Sequence, residues 1–181
     1  MKKFFVLALL FAISLIGVAQ TPDVKGPKDL RGILLEMLKT THNQKDWFVP
    51  GNTAIEGLTA EQAKWTDKSG NHSVGQLTNH LNFWNSEQLA KFKGQKAPAF
   101  NGNNDETFND FDAATWAETV KQYDQVMTEW EKAVETADDA KLQLWAATIE
   151  HVAAHNAYHI GQIIYVRKLQ GVWDPDKGVK G

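Results

Sequence analysis

Cysteine is absent from the 181-residue chain, and its absence excludes more than any other feature of the composition. Without it there is no disulfide framework, no thiolate nucleophile, no thiolate metal ligand and no lipoprotein anchor. A metal bound here is held by nitrogen or oxygen. Basic charge is also short: 19 Lys and Arg stand against 22 Asp and Glu, which gives nucleic acid nothing to bind. Paired catalytic carboxylates, a Ser/His/Asp arrangement and a Gly-rich phosphate loop are all missing. No internal repeat occurs, and no stretch alternates polar and apolar residues as a half-buried strand does.

The one long apolar run lies at the N-terminus. Lys2 and Lys3 precede residues 4–18, which carry no charge, and Gly17, Val18 and Ala19 supply the small residues that signal peptidase prefers. The run is short for a membrane span, so residues 1–19 are expected to be a cleaved signal peptide and the protein to be secreted or periplasmic. An uncleaved anchor is the alternative. Cleavage leaves residues 20–181, a mature chain with 17 basic and 22 acidic side chains and a net charge of −5. That length suits one domain with a core of its own, needing no covalent staple and, once the signal is removed, no stable membrane insertion.

Four stretches carry helical period. After Pro27, residues Leu30, Ile33, Leu34, Met37, Leu38 and Thr41 recur at spacings of three and four, predicting a helix to about residue 47, stopped by Pro50 and Gly51. Thr59 with Gln62 is a capping box opening one or two turns to residue 65, and Ser73 with Gln76 is another. From Ser73 a long helix follows, with Val74, Leu77, Leu81, Trp84 and Phe92 as its stripe and Gly94 at its end. Residues 93–112, rich in Gly, Asn, Pro and Asp, read as a crossover loop; they lack the ligand order of a calcium loop. Residues 114–136 form the third long helix and about 142–169 the fourth, with Asp138 and Asp139 at its start and Gly171 after its end. The expected fold is therefore all-α: a four-helix bundle with one long crossover loop.

The fourth helix contains His151, His155 and His159 at four-residue intervals. At 100° per residue, and measured from the middle of the face formed by Trp145, Ile149, Val152, Ile160 and Ile163, these lie roughly 50° (His159), 90° (His155) and 130° (His151) away. His155 and His159 can reach the interior, whereas His151 belongs at the rim or in solvent. Two imidazoles one turn apart can share a divalent ion, and His80, on the flank of the second long helix, can supply a third nitrogen. A zinc-protease H-E-x-x-H motif is excluded, because Asn156 stands where the glutamate would be. His42 falls off the stripe of its helix and reads as a surface residue, and His72 as a loop residue. Glu87, two turns beyond His80, is too far along the axis for the same ion and is a candidate acid or base. Gln162 is placed to hydrogen bond a ligand or water, and Gly161 to let a neighbouring helix approach. The seven spread tryptophans read as core and interface filling.

"SVGQLTNHLNFWN" on one helix and "HNAYHIGQI" on another resemble the DinB superfamily, whose four-helix bundles are similar to metal-dependent hydrolases and bacterial thiol transferases; "GLTAEQAKW" extends the likeness. The resemblance implies that His80, His155 and His159 are metal ligands. It implies a divalent ion, commonly zinc or nickel, with a position open to water or a thiolate. Relatives of this kind are often homodimers. A metal-dependent hydrolase of an unknown small-molecule substrate is the expected function, and export argues against thiol transfer. A non-enzymatic metal-binding or structural interaction bundle and a thiol-transferase-like enzyme are the alternatives.

Overall fold

The computed structural model describes residues 26–67, 69–109 and 111–179; the signal peptide expected over 1–19 lies outside them. Among the described residues the regular structure is entirely helical. The helices are α1 (Leu30–His42), α2 (Gly51–Ile55), α3 (Ala60–Ala63), α4 (Val74–Phe92), α5 (Glu106–Asn109), α6 (Trp116–Thr136) and α7 (Asp139–Gln170). Short 3₁₀ turns precede α6 and follow α7. No described helix is long and apolar enough to cross a membrane.

Side chains written into the sequence set the helix ends. Ser73 and Thr59 each accept a hydrogen bond from the backbone N–H three residues on, while Gln76 and Gln62 reach back to complete both capping boxes. Asp29 and Asp138 cap α1 and α7 in the same way from one side, accepting from Gly32 N and Lys141 N. Past the C-terminus of α7, Gly171 adopts φ +77°, a left-handed conformation that glycine reaches without a Cβ clash. Arg31 donates to the carbonyls of Val134 and Glu135, satisfying two acceptors that the end of α6 leaves without helical partners.

α1 packs on α6 and α7, and α4 packs on the same two helices. The space they enclose is filled by Leu38 of α1, Leu81 of α4, Met127 and Trp130 of α6, and Ile149 and Ile163 of α7, all buried. The indole N–H groups of Trp130 and Trp116 donate to Asn85 O and Leu58 O, so these large rings are buried without stranding a donor.

Three expectations need correction. The first helix ends at His42, not near residue 47, because the polar stretch beyond it has no apolar stripe to dock; Trp47 is 89 % exposed. Pro50 and Gly51 do not merely stop a helix, since Pro50 is the N-cap of α2, its fixed φ suiting a helix entry. His42 is not a surface residue: it is 1 % exposed, with Nε2 2.9 Å from Asp124 Oδ1 and Nδ1 2.6 Å from Glu131 Oε1. α6 places those two carboxylates seven residues apart on one face, and the pair gives the buried ring a partner for each nitrogen.

Gly51 marks a close approach. A Cβ there would overlap the ring and hydroxyl of Tyr123, which is buried and donates to Thr41 O at 2.8 Å. Gly51→Ala is expected to cost about 1–3 kcal/mol by overpacking. Urea unfolding of the variant measures this, and an unchanged midpoint would show that the Tyr123 contact is not tight.

Candidate metal centre

α4 and α7 run side by side, and their facing surfaces bring His80, His155 and His159 together. One ligand atom from each lies within 4.8 Å of the other two. His155 Nε2 stands 3.1 Å from His80 Nε2 and 3.0 Å from His159 Nε2. His80 and His159 are buried and His155 is half-buried.

The hydrogen bonds behind these rings decide which nitrogens carry protons. The Thr107 hydroxyl donates to Asn104 O at 2.7 Å, so its oxygen accepts from His80 Nδ1–H at 2.6 Å. Gln162 donates its amide N–H to Tyr158 Oη, which turns its carbonyl oxygen toward His159 Nδ1–H at 2.6 Å. In both neutral rings the proton therefore sits on Nδ1 and Nε2 presents a lone pair. His155 Nε2 faces two such lone pairs and can donate a proton to one at most.

The same burial keeps the rings neutral. Desolvation, followed by the nearby charges of His159, His155 and His72, pushes His80 down to about 3. Desolvation and His155 push His159 down to about 4, against a smaller opposing effect of its bond to Gln162. His155 is lowered by desolvation. Three neutral imidazoles aiming Nε2 at one point are the donor set of a divalent ion, and ligands about 2.1 Å from an ion lie about 3.0–3.4 Å apart around it. The residues present fit such an ion.

Short-range packing fixes His80 further. The Phe108 ring lies 3.8 Å from the His80 ring centroid to centroid, at 7°, and 3.9 Å from His72 on its other face, at 3°. His72, a loop residue as expected, is thus also a stacked member of the site's surround. Thr107 and Phe108 belong to α5, a helix of one turn inside the segment read as crossover loop. Four residues are too few to show a period, so α5 is not legible in the chain. The Asn104-to-Thr107 spacing, suited to a hydroxyl bonding back to a carbonyl, was the available signal.

A cleft of about 610 Å³ opens beside the three histidines, lined also by Trp84, Phe108, Asn104 and His151. His151 is exposed, as its angle predicted, and stands on the cleft wall. Glu87 does not line the cleft; it is buried against Lys91 and Gln88. Asn156, fully buried, joins Asn85 to Met127 and takes no part in the cleft. Gln162 bonds the ring of His159, and among the described residues nothing lies within 4 Å of where a Cβ on Gly161 would stand.

Two outcomes follow from this geometry. Thr107→Val removes the acceptor that holds the His80 tautomer and is expected to weaken metal affinity about 10- to 100-fold at unchanged fold, read by competitive chelator titration. For the metal-free protein, the folded values near 3 and 4 lie below the ordinary 6.5, so the unfolded chain binds more protons between them. The contribution of His80 and His159 to stability is intact above about pH 6.5 and is lost as pH falls toward 4 and 3. Denaturant midpoints over that range should fall less steeply in a His80→Asn/His159→Gln double variant; equal slopes would contradict the burial of these rings.

No curated protein and no solved structure gives a significant match to the chain. A family model does match, that of the DinB superfamily, over residues 52–163, a span that runs from α2 into α7 and contains the three histidines. With the fold all-helical and a three-histidine group that suits a divalent ion, the chain belongs to the DinB superfamily.

Proposed function

We propose that the protein is an exported, metal-dependent hydrolase of small molecules, with residues 20–181 forming one four-helix-bundle domain. The observation that carries this reading is the convergence of three imidazole Nε2 atoms on the wall of a solvent-reaching cleft. His80, His155 and His159 would hold the ion, zinc or nickel as the family resemblance implies. A divalent ion in this place supplies Lewis-acid activation of water at neutral pH. The uncharged run of residues 4–18 behind Lys2 and Lys3 supports export.

The remaining roles fall to the chain's own residues. Thr107 and Gln162 keep the Nδ1 protons away from the cleft and so keep Nε2 free. Trp84, Phe108 and Val152 give the cleft apolar walls, while Asn85, Gln88 and Asn104 offer amides to orient a polar substrate. The volume lies within the range of small-molecule sites. Of the described residues that line the cleft, none is Asp or Glu, so the proton taken from the nucleophile goes to His151, the one imidazole there outside the triad.

The lack of a carboxylate base also favours a second reading, a metal-binding module without turnover. Elemental analysis of protein purified without a His tag, followed by assay of the metal-loaded protein on small esters and amides, separates the two. Under the first reading His151→Gln lowers kcat about 10²- to 10⁴-fold with metal content unchanged. Stoichiometric metal with no hydrolysis of any substrate supports the second, and protein that takes up no divalent ion sinks both.

A further inference from the structure

The α4 wall of the cleft presents amide oxygens, and the partners behind it decide that. Asn85, 2 % exposed, and Gln88, half-buried, stand three residues apart on one face of α4, and both line the cleft. Asn156 Nδ2 points at Met127 Sδ, an acceptor with no proton to give, so Asn156 turns its oxygen to Asn85 and takes an Asn85 amide N–H at 3.0 Å. The Glu87 carboxylate, paired with Lys91, also only accepts, and it takes a Gln88 amide N–H at 2.8 Å. Among the described residues nothing donates to Asn85 Oδ1 or to Gln88 Oε1. The buried side-chain atoms that lack a partner are Asn82 Oδ1, Arg167 Nε and Gln170 Oε1. Asn85 Oδ1 is not one of them, so the sliver of Asn85 left exposed carries this oxygen to the cleft. Asn104 has the reverse polarity: Trp84 Nε1–H can only donate, holds Asn104 Oδ1 at 3.2 Å, and leaves the amide nitrogen without a partner among the described residues.

We infer that, under the hydrolase reading above, on which this inference rests, the substrate carries a primary carboxamide away from its reacting bond, with the NH2 shared between Asn85 Oδ1 and Gln88 Oε1. Two acceptors fit two N–H groups. Bonds of about 2.9 Å from one NH2 reach oxygens about 5 Å apart, and residues three apart on a helix have Cβ atoms about 5–6 Å apart. A hydroxyl has one proton and satisfies one of the two oxygens. An ammonium donates to both, but of the described residues that line the cleft none is Asp or Glu, so its lost hydration goes uncompensated. For the carbonyl of the carboxamide, Asn104 Nδ2 is the donor on offer. Asn85 and Gln88 stand about 7.5 and 12 Å beyond His80 along α4, at 1.5 Å per residue. The carboxamide is therefore read one to two helical turns from the histidines, with Trp84 and Val152 flanking the apolar chain between. Asn85 and Gln88 are specificity-determining residues, and Glu87 is a positioning residue that acts through Gln88.

Binding of hexanamide and of N,N-dimethylhexanamide, which has no N–H to donate, tests this without turnover. Saturation-transfer NMR titrations, run with zinc and again after chelation, are expected to show the primary amide bound about tenfold tighter or more in both states. Glu87→Gln is the telling variant, because Glu87 lies outside the cleft lining. The new amide gives its oxygen to Lys91 and its NH2 to Gln88, which turns the Gln88 oxygen away from the cleft, and the preference should fall about tenfold with an unchanged circular-dichroism spectrum. Gln88→Met, which keeps the length and removes the acceptor at a half-buried position, should have the same effect even where Glu87→Gln disturbs the fold. Equal affinity for the two amides, no binding of either, or a preference that survives Gln88→Met or a folded Glu87→Gln overturns the inference. Selective binding without hydrolysis of any ester or amide sinks the hydrolase reading and leaves the subsite standing; ester hydrolysis without the preference does the reverse.

Discussion

The Nε2 lone pairs of His80 and His159 both face His155 Nε2, where a single proton cannot satisfy the two of them, and the arrangement of the molecule around α4 and α7 follows from that. His80 and His159 each have the Nδ1 proton committed to a fixed acceptor, so Nε2 has only lone-pair density to offer. His155 can relieve one of these contacts and not the other. A cation relieves all three together, which is why the donor set is informative in a way that proximity of histidines is not. Desolvation supports the same state by making protonation of His80 and His159 unfavourable at neutral pH.

The elements around the site hold those rings still. The Ser73 capping box fixes where α4 begins and therefore where His80 stands along it. One turn of helix in the crossover, α5, brings Thr107 under His80 and Phe108 across its face. On the other side Tyr158 orients Gln162, which orients His159.

Much of this was legible in the chain. The apolar spacing and the two capping boxes gave the long helices and most of their ends, because those signals are local. Angular position separated His155 and His159 from His151 and paired them with His80, because a helix converts sequence distance into direction. The same method failed for His42. Its angle placed it off the apolar stripe, yet a buried position need not be apolar when a neighbouring helix brings acceptors; Asp124 and Glu131 lie more than eighty residues away in the chain. Gly161, read as able to admit a neighbouring helix, has nothing among the described residues within 4 Å of where a Cβ would stand.

By itself the sequence determined the helical class, the capped helix starts, the lack of any thiol side chain and which three histidines could meet, since each rests on local periodicity or on composition. Tertiary structure alone decided which ring nitrogen of His80 and of His159 carries the proton, that α5 exists and clamps His80, and that Glu87 stays out of the cleft lining while His151 joins it. Those outcomes depend on contacts between residues distant in the chain, and such contacts have no period for a sequence to display.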